Sequence, residues 1–291
     1  MALLSKTRTV LEMIKVEHSV FALPFALTGA LLAIRGSGLG WNELAGKFAW
    51  IVVAMVAARS AAMAFNRVAD ADIDAINPRT RVRAIPAGAV SKSFTWAFIA
   101  LWSGVFLLAA HMLNPLCLKL APLALAIVLG YSYTKRFTAL SHLVLGFALG
   151  IAPAAAWIAI RASLDWPILL LTAAVTLWTA GFDIIYSCQD HEFDRKTGLH
   201  SIPVMLGVKN ALLVSRLLHV TMIGLLVWLS RAMDLGVVSL IGVAAVTALL
   251  VYEHSLVKAD DLSRVNSAFF TVNGFVSVLF LVFWAADIAW M

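Results

Sequence analysis

Short polar segments divide this chain into long apolar runs, and that division limits its fold more than any other feature. Runs near residues 20–34, 48–65, 94–113, 116–132, 141–160, 166–188, 210–230, 235–252 and 268–288 approach the roughly 20 residues that a helix needs to cross a bilayer. An unsatisfied peptide group in hydrocarbon costs several kcal/mol, so only helices and closed barrels span membranes. The sequence therefore predicts an all-α polytopic membrane protein, a bundle of nine transmembrane helices forming one membrane domain over residues 1–291. Composition agrees: 62% of the 291 residues are hydrophobic, 13% are charged, and mean hydropathy is +0.92, whereas soluble domains carry about 25% charged residues.

Lysine and arginine orient the bundle. Over alternate connections, fifteen fall on the side of the N-terminus and five on the other, with Arg59 and Arg216 inside spans. Positive residues accumulate in the cytoplasm, so the N-terminus and the site are expected on the cytoplasmic side of the cell (inner) membrane. The formal charge of +6 follows from this asymmetry and needs no nucleic acid; membrane lipid is the expected surrounding. Residues 3–14 suit an amphipathic helix in the headgroup layer, and no removable signal peptide is expected. Cys117 and Cys188 lie in separate apolar runs and read as packing residues. Pro24 should kink the first span, and Gly29 should admit a close neighbour. Trp41, Trp50, Trp96, Trp166, Trp284 and Trp290 read as interface anchors.

Chemistry gathers at two span ends. In the segment 66–88, Asn66, Asp70 and Asp74 recur every four residues and so share one side of a helix end. Carboxylates stacked this way repel unless a cation joins them, and hard oxygen ligands suit Mg²⁺. Arg79, Arg81 and Arg83 follow, able to hold phosphate oxygens. The segment 183–203 repeats the pattern: Asp190 and Asp194 lie 120 residues after Asp70 and Asp74, and each segment runs into Ile-Pro. A repeat at fixed offset implies two similar halves with a site between them.

Other polar residues extend this site. Arg59 lies two turns before Asn66 on nearly the same face, and an intramembrane arginine usually faces a cavity or a partner. Tyr131, Lys135 and Arg136 end the fourth span on the charged side, and Asp183 and Tyr186 lie one to two turns inward of Asp190. His191 stands beside acids but lacks the paired-histidine spacing of a transition-metal site. The remaining histidines, His142, His219 and His254 among them, read as packing or interfacial residues. The polar segment from Glu253 to Ser267 is expected in the cytoplasm. An ion-coupled transporter or cation channel would also place acids within repeated halves. Here the acids stay at one end amid arginine and lysine, and the far side is mostly apolar.

The chain resembles the UbiA-type intramembrane aromatic prenyltransferases over nearly its whole length. Their first motif, N-x-x-x-D-x-x-x-D, is met by Asn66, Asp70 and Asp74; their second, D-x-x-Y-x-x-x-D-x-x-x-D, by Asp183, Tyr186, Asp190 and Asp194. Their Y-x-x-x-K pair is met by Tyr131 and Lys135, and their arginines by Arg59 and Arg83. The resemblance implies Mg²⁺ held by Asp70, Asp74, Asp190 and Asp194, with a polyprenyl diphosphate between the motifs. It also implies Arg59, Asn66, Arg83 and Lys135 as substrate-binding residues. Tyr131, Lys135, Arg136, Asp183 and Tyr186 form the catalytic set, with Lys135 and Arg83 stabilising the leaving diphosphate, Tyr131 facing the allylic cation and Asp183 drawing off the phenolic proton. The implied reaction is transfer of a polyprenyl group to a hydroxylated aromatic carboxylate, 4-hydroxybenzoate first, in ubiquinone or menaquinone biosynthesis. Two departures bear on the acceptor: Arg67 replaces a second acid after Asn66, and residues 17–25 replace an Arg-Pro-x-Gly start. Residues 17–25 are similar to a branch some members of which are linked to a dihydroxynaphthoate step of menaquinone synthesis, which is the alternative acceptor.

Overall fold

A computed structural model describes residues 21–290. The expectations for residues 3–14 and the departure over residues 17–20 lie outside the described residues. Eleven α-helices are laid down in order: α1 Leu23–Ile34, α2 Trp41–Ala69, α3 Ala71–Ile76, α4 Lys92–Leu113, α5 Pro115–Gly130, α6 Ser141–Arg161, α7 Trp166–Ser187, α8 His191–Thr197, α9 Ile202–Ala232, α10 Val237–Ser255 and α11 Asn273–Trp290. A 3₁₀ turn, Tyr131–Arg136, extends α5, another, Cys188–Asp190, joins α7 to α8, and a π-helical turn, Ser267–Val272, precedes α11.

Eight of the described helices, counted with their short extensions, are long and apolar enough to cross a bilayer. The expected ninth span is the 12-residue α1. Pro24 explains where α1 begins. It sits in the first helical turn, where a missing N–H is no loss, so it starts the helix and does not kink it. The break in the bundle falls instead in α9, where Gly207 adopts φ 76°, ψ 158°.

Helix α7 is the centre of the molecule, packed between α6 and α9, while α1 wedges between α6 and α11. Among helices in lipid, close packing substitutes for the hydrophobic effect, and small residues permit it. A Cβ on Gly146 would stand 2.2 Å from the Thr176 carbonyl oxygen, and one on Gly29 would stand 2.4 Å from that of Pro153. These contacts close α6 onto α7 and α1 onto α6. Phe25, Trp178, Phe280 and Trp284 fill the core between α1, α7 and α11. Trp284 is therefore a core residue and not an interface anchor, whereas Trp41, Trp96, Trp166 and Trp290 are exposed.

At the end of the bundle away from the motifs, cations cap helix carbonyls. Arg35 donates to Met233 O at 2.6 Å, Lys47 to Leu113 O and Ala159 O at 3.2 and 3.0 Å, and Arg161 to Ala33 O at 3.0 Å. The charges on this side thus tie the connections together. Helices α2, α4 and α5 stand apart from the tight α1–α6–α7–α9 core on the other flank of α6, and the space between is the principal cavity.

Candidate active site

The sequence repeat is a repeat of backbone geometry. Asp70 ends α2 with φ −94°, ψ 1° and opens α3; Asp190 ends the 3₁₀ turn after α7 with φ −96°, ψ 2° and opens α8. Each long helix therefore gives way at Asp70 or Asp190 in the bridge region of backbone space and restarts as a short helix carrying the next motif aspartate, Asp74 or Asp194. The Asn77–Val90 connection folds back over the gap as a series of turns.

This arrangement brings the two motifs to one pocket of about 230 Å³, lined by Asn66, Asp70, Asp74, Lys135, Asp190 and Asp194 among others. Its charges are paired, within the first half and from the first half to the second. Lys135 Nζ donates to Asp70 Oδ2 at 2.9 Å, and Asn66 Nδ2 donates to the same oxygen at 3.1 Å. Arg83 Nη1 lies 2.8 Å from both oxygens of Asp74. Arg79 reaches from the first half to the second, donating to Asp190 at 2.9 and 2.5 Å and to the Tyr186 hydroxyl at 3.1 Å. Burial would lower the Arg79 guanidinium, but the Asp190 carboxylate outweighs it and holds it above the ordinary arginine value. Arg136 lines neither cavity; it donates to Ala69 O, lies 3.7 Å from Asp70 and sits 5.0 Å over the Tyr133 ring. Arg81 is exposed.

Among the described residues no three His, Cys, Asp or Glu side chains converge as a ready-made metal cage, because lysine and arginine stand between the carboxylates. The donor set still fits Mg²⁺. All four side chains offer hard oxygen atoms, Asp70 Oδ1 is buried without a hydrogen-bond partner, and Asp194 makes no ion pair with a described residue. Mg²⁺ characteristically takes one or two carboxylates and fills its shell from water and phosphate.

The charged pocket adjoins a much larger apolar cavity of about 870 Å³, and Asn66, Arg79, Arg83, Tyr131, Asp183 and Tyr186 line both. Arg59 lines the large cavity with Asn66, as its spacing predicts. Beyond them the walls are apolar, with Ala110, Leu113, Leu120, Ala121 and Ala124 of α4 and α5. A polyanion and a long hydrocarbon chain fit such a pair of spaces together.

The model of the family described as "UbiA prenyltransferase family" matches residues 22–290. The chain belongs to the UbiA prenyltransferase family. Its relatives include the 4-hydroxybenzoate octaprenyltransferase of Vibrio vulnificus, 32% identical over 80% of this chain and 83% of that one. That of Methylococcus capsulatus is 31% identical over 90% and 88%. The apo structure of a UbiA homolog from Aeropyrum pernix superposes with TM-score 0.83 at 36% identity, covering 94% of this chain and 98% of that one. A UbiA homolog from Archaeoglobus fulgidus bound to GPP and Mg²⁺ shares the fold at TM-score 0.75 and 19% identity, covering 97% and 99%.

This UbiA prenyltransferase also has site neighbours that sequence reasoning missed. His142, read as a packing residue, places Nδ1 2.6 Å from Asp183 Oδ2. His219 and His254, likewise read as isolated, meet at 3.0 Å. Glu253, expected in a polar loop, is fully buried in α10 and accepts from Asn273 Nδ2 at 2.8 Å. Asn273 also donates to Ala268 O at 3.1 Å and accepts from Trp178 Nε1 at 2.8 Å. The Asn273 side chain thus bonds to a carbonyl within the π turn. That turn carries Phe269 and Phe270 to the large cavity, their rings 4.3 and 5.9 Å from that of Tyr186. Partners this distant in sequence leave no periodic signal.

Proposed function

We propose that this protein transfers a polyprenyl group from polyprenyl diphosphate to a hydroxylated aromatic carboxylate, 4-hydroxybenzoate first, in a Mg²⁺-dependent step of quinone biosynthesis. One observation carries the reading: the pocket that joins both aspartate motifs opens directly onto an apolar cavity, with Asp183, Tyr186 and Tyr131 at the join. The names of the relatives, 4-hydroxybenzoate octaprenyltransferases, support the acceptor.

Asp70, Asp74, Asp190 and Asp194 are the residues that would hold Mg²⁺, which when bound supplies positive charge to the diphosphate oxygens. The protein's own cations supply the rest. Arg79, Arg83 and Lys135 stand beside those carboxylates, so each offers a charge-assisted donor already in place for the diphosphate oxygens. Negative charge grows on the bridging oxygen as the carbon–oxygen bond breaks, and donors fixed near it stabilise that change more than they stabilise the bound substrate. The Tyr131 ring, with Tyr186 beside Phe269, offers π faces to the allylic cation. Apolar walls exclude the water that would otherwise capture it. Arg59 pairs with the carboxylate of the acceptor, and Asp183 receives its phenolic proton. One carbon–oxygen bond breaks with its electron pair leaving on diphosphate, one carbon–carbon bond replaces a ring carbon–hydrogen bond, the phenol regains its proton, and one proton is released overall.

The same reading makes residues 1–291 a single membrane domain, with the site and the N-terminus cytoplasmic in the cell (inner) membrane. Detergent-purified protein incubated with geranyl diphosphate and Mg²⁺ is tested against 4-hydroxybenzoate, 1,4-dihydroxy-2-naphthoate and benzoate. The expected product is a prenylated 4-hydroxybenzoate by mass spectrometry. Exclusive use of the naphthoate would move the acceptor, and no prenylated product from any acid would remove the proposal.

A further inference from the structure

The carboxylate of Asp183 is held by a short relay that spans three helices. Its Oδ2 lies 2.6 Å from His142 Nδ1 at the start of α6, and His142 Nε2 lies 3.3 Å from the backbone nitrogen of Ile202 at the start of α9. His142 is buried, and Asp183 lines both cavities. A backbone amide can only donate, so Nε2 carries the lone pair and the ring's proton belongs on Nδ1, where it is donated to Asp183. That amide is one of the first N–H groups of α9, which have no partner within their own helix, and Pro203 beside it has no N–H to compete. Asp183 Oδ1 makes no hydrogen bond to a described residue.

We infer that His142 is a positioning residue for prenyl transfer: its Nδ1–H, fixed by the Ile202 amide, engages Asp183 Oδ2 and leaves Oδ1 to receive the acceptor's hydroxyl proton. The inference rests on the reading of Asp183 as the group that takes that proton. In the step concerned, the acceptor O–H bond breaks and its proton passes to Asp183 Oδ1. The ring carbon then bonds to the allylic carbon, whose bond to diphosphate has broken with the electron pair on the leaving group; that ring carbon loses its own hydrogen as a proton and the oxygen regains one, so the aromatic phenol is restored and one proton is released overall. When Asp183 is misaimed, water captures the allylic carbon instead, forming prenyl alcohol and releasing a proton to solvent. Misplacing a reacting group by about 1 Å costs on the order of 100-fold, so the partition between the two fates is a sensitive gauge of aim.

The test is the ratio of prenylated acid to prenyl alcohol made from geranyl diphosphate, Mg²⁺ and 4-hydroxybenzoate, or whichever acid of the panel turns over. Because the ratio is taken per turnover, it does not depend on how much protein is folded. His142→Leu, close in size but without a polar atom, is expected to lower the ratio roughly tenfold or more while KM for geranyl diphosphate stays within about twofold. His142→Gln, whose amide both donates and accepts, is expected to restore it to within about threefold of wild type. If His142→Leu does not survive extraction, His142→Ala is read by the same ratio. An unchanged ratio in the apolar variant, with Asp183→Asn depleted in prenylated acid, would overturn the inference and leave Asp183 in place. A glutamine variant that folds but fails to recover would overturn it too. If Asp183→Asn itself keeps the wild-type ratio, the reading of Asp183 fails and the inference with it.

Discussion

At the scale of single residues, the site is a set of opposite charges held ready for a ligand. Asp70 and Asp190 are each paired with a cation from elsewhere in the fold, Lys135 and Arg79. Replacing either aspartate by asparagine keeps its shape and removes the charge that attracts metal. Asp70→Asn and Asp190→Asn are each expected to lower turnover about 100-fold or more, with melting temperatures near that of wild type, as a thermal-shift assay in detergent would read. Full turnover of either variant in excess chelator would contradict the metal assignment. Arg83 meets both oxygens of Asp74 through Nη1 alone, which leaves the rest of its planar guanidinium for diphosphate oxygens, and a fork that can meet two oxygens at once is not copied by lysine. Arg83→Lys should lower kcat by roughly ten- to a thousandfold with little change in the KM for the aromatic acid. A large rise in that KM with diphosphate kinetics intact would make Arg83 the clamp on the acceptor's carboxylate. The four-residue spacing of Asn66, Asp70 and Asp74 made this part of the site legible in the sequence. His142 was not legible, because its partners at positions 183 and 202 come together only when α6, α7 and α9 pack.

At the scale of elements, long apolar runs and Lys/Arg clusters mark the helices well, since bilayer thickness fixes their length. Local departures from ideal helix are where the reading fails. Pro24 starts α1, Gly207 breaks α9, and the buried Asn273 amide donates to the Ala268 carbonyl of the π turn before α11. Asn273→Leu would strand the Trp178 indole N–H and the Glu253 carboxylate inside the bundle, at about 1–3 kcal/mol for each group left unpartnered. We expect a melting temperature lower by about 5 °C or more, and lower turnover as Phe269 and Phe270 leave the cavity wall; a variant with wild-type melting and turnover would show that the turn is set by packing alone. Gly146→Leu should be still less stable, because its Cβ meets the Thr176 carbonyl oxygen. A melting temperature equal to that of wild type would mean that α6 and α7 can separate without cost.

At the scale of the whole molecule, two halves each end a long helix in the same broken turn and turn it toward the other. The 120-residue offset between the motifs made this legible in the sequence; the cavity was not, because an apolar wall lining a pocket reads the same as one facing lipid. The charge asymmetry predicts that cysteines placed near Thr80, as at the exposed Arg81 beside it, and near Thr197 react with a membrane-impermeant reagent only from the cytoplasmic side, and one near Leu235 only from outside. The reverse pattern would invert the orientation. The central claim is that both motifs build one diphosphate site. Equilibrium binding of geranyl S-thiolodiphosphate, an analogue slow to ionise, tests it most directly. The account predicts binding that requires Mg²⁺, is abolished by chelator, and is weakened at least about tenfold by Asp70→Asn and by Asp190→Asn alike. Binding that survives chelation, or that one of the two substitutions leaves untouched, would contradict it.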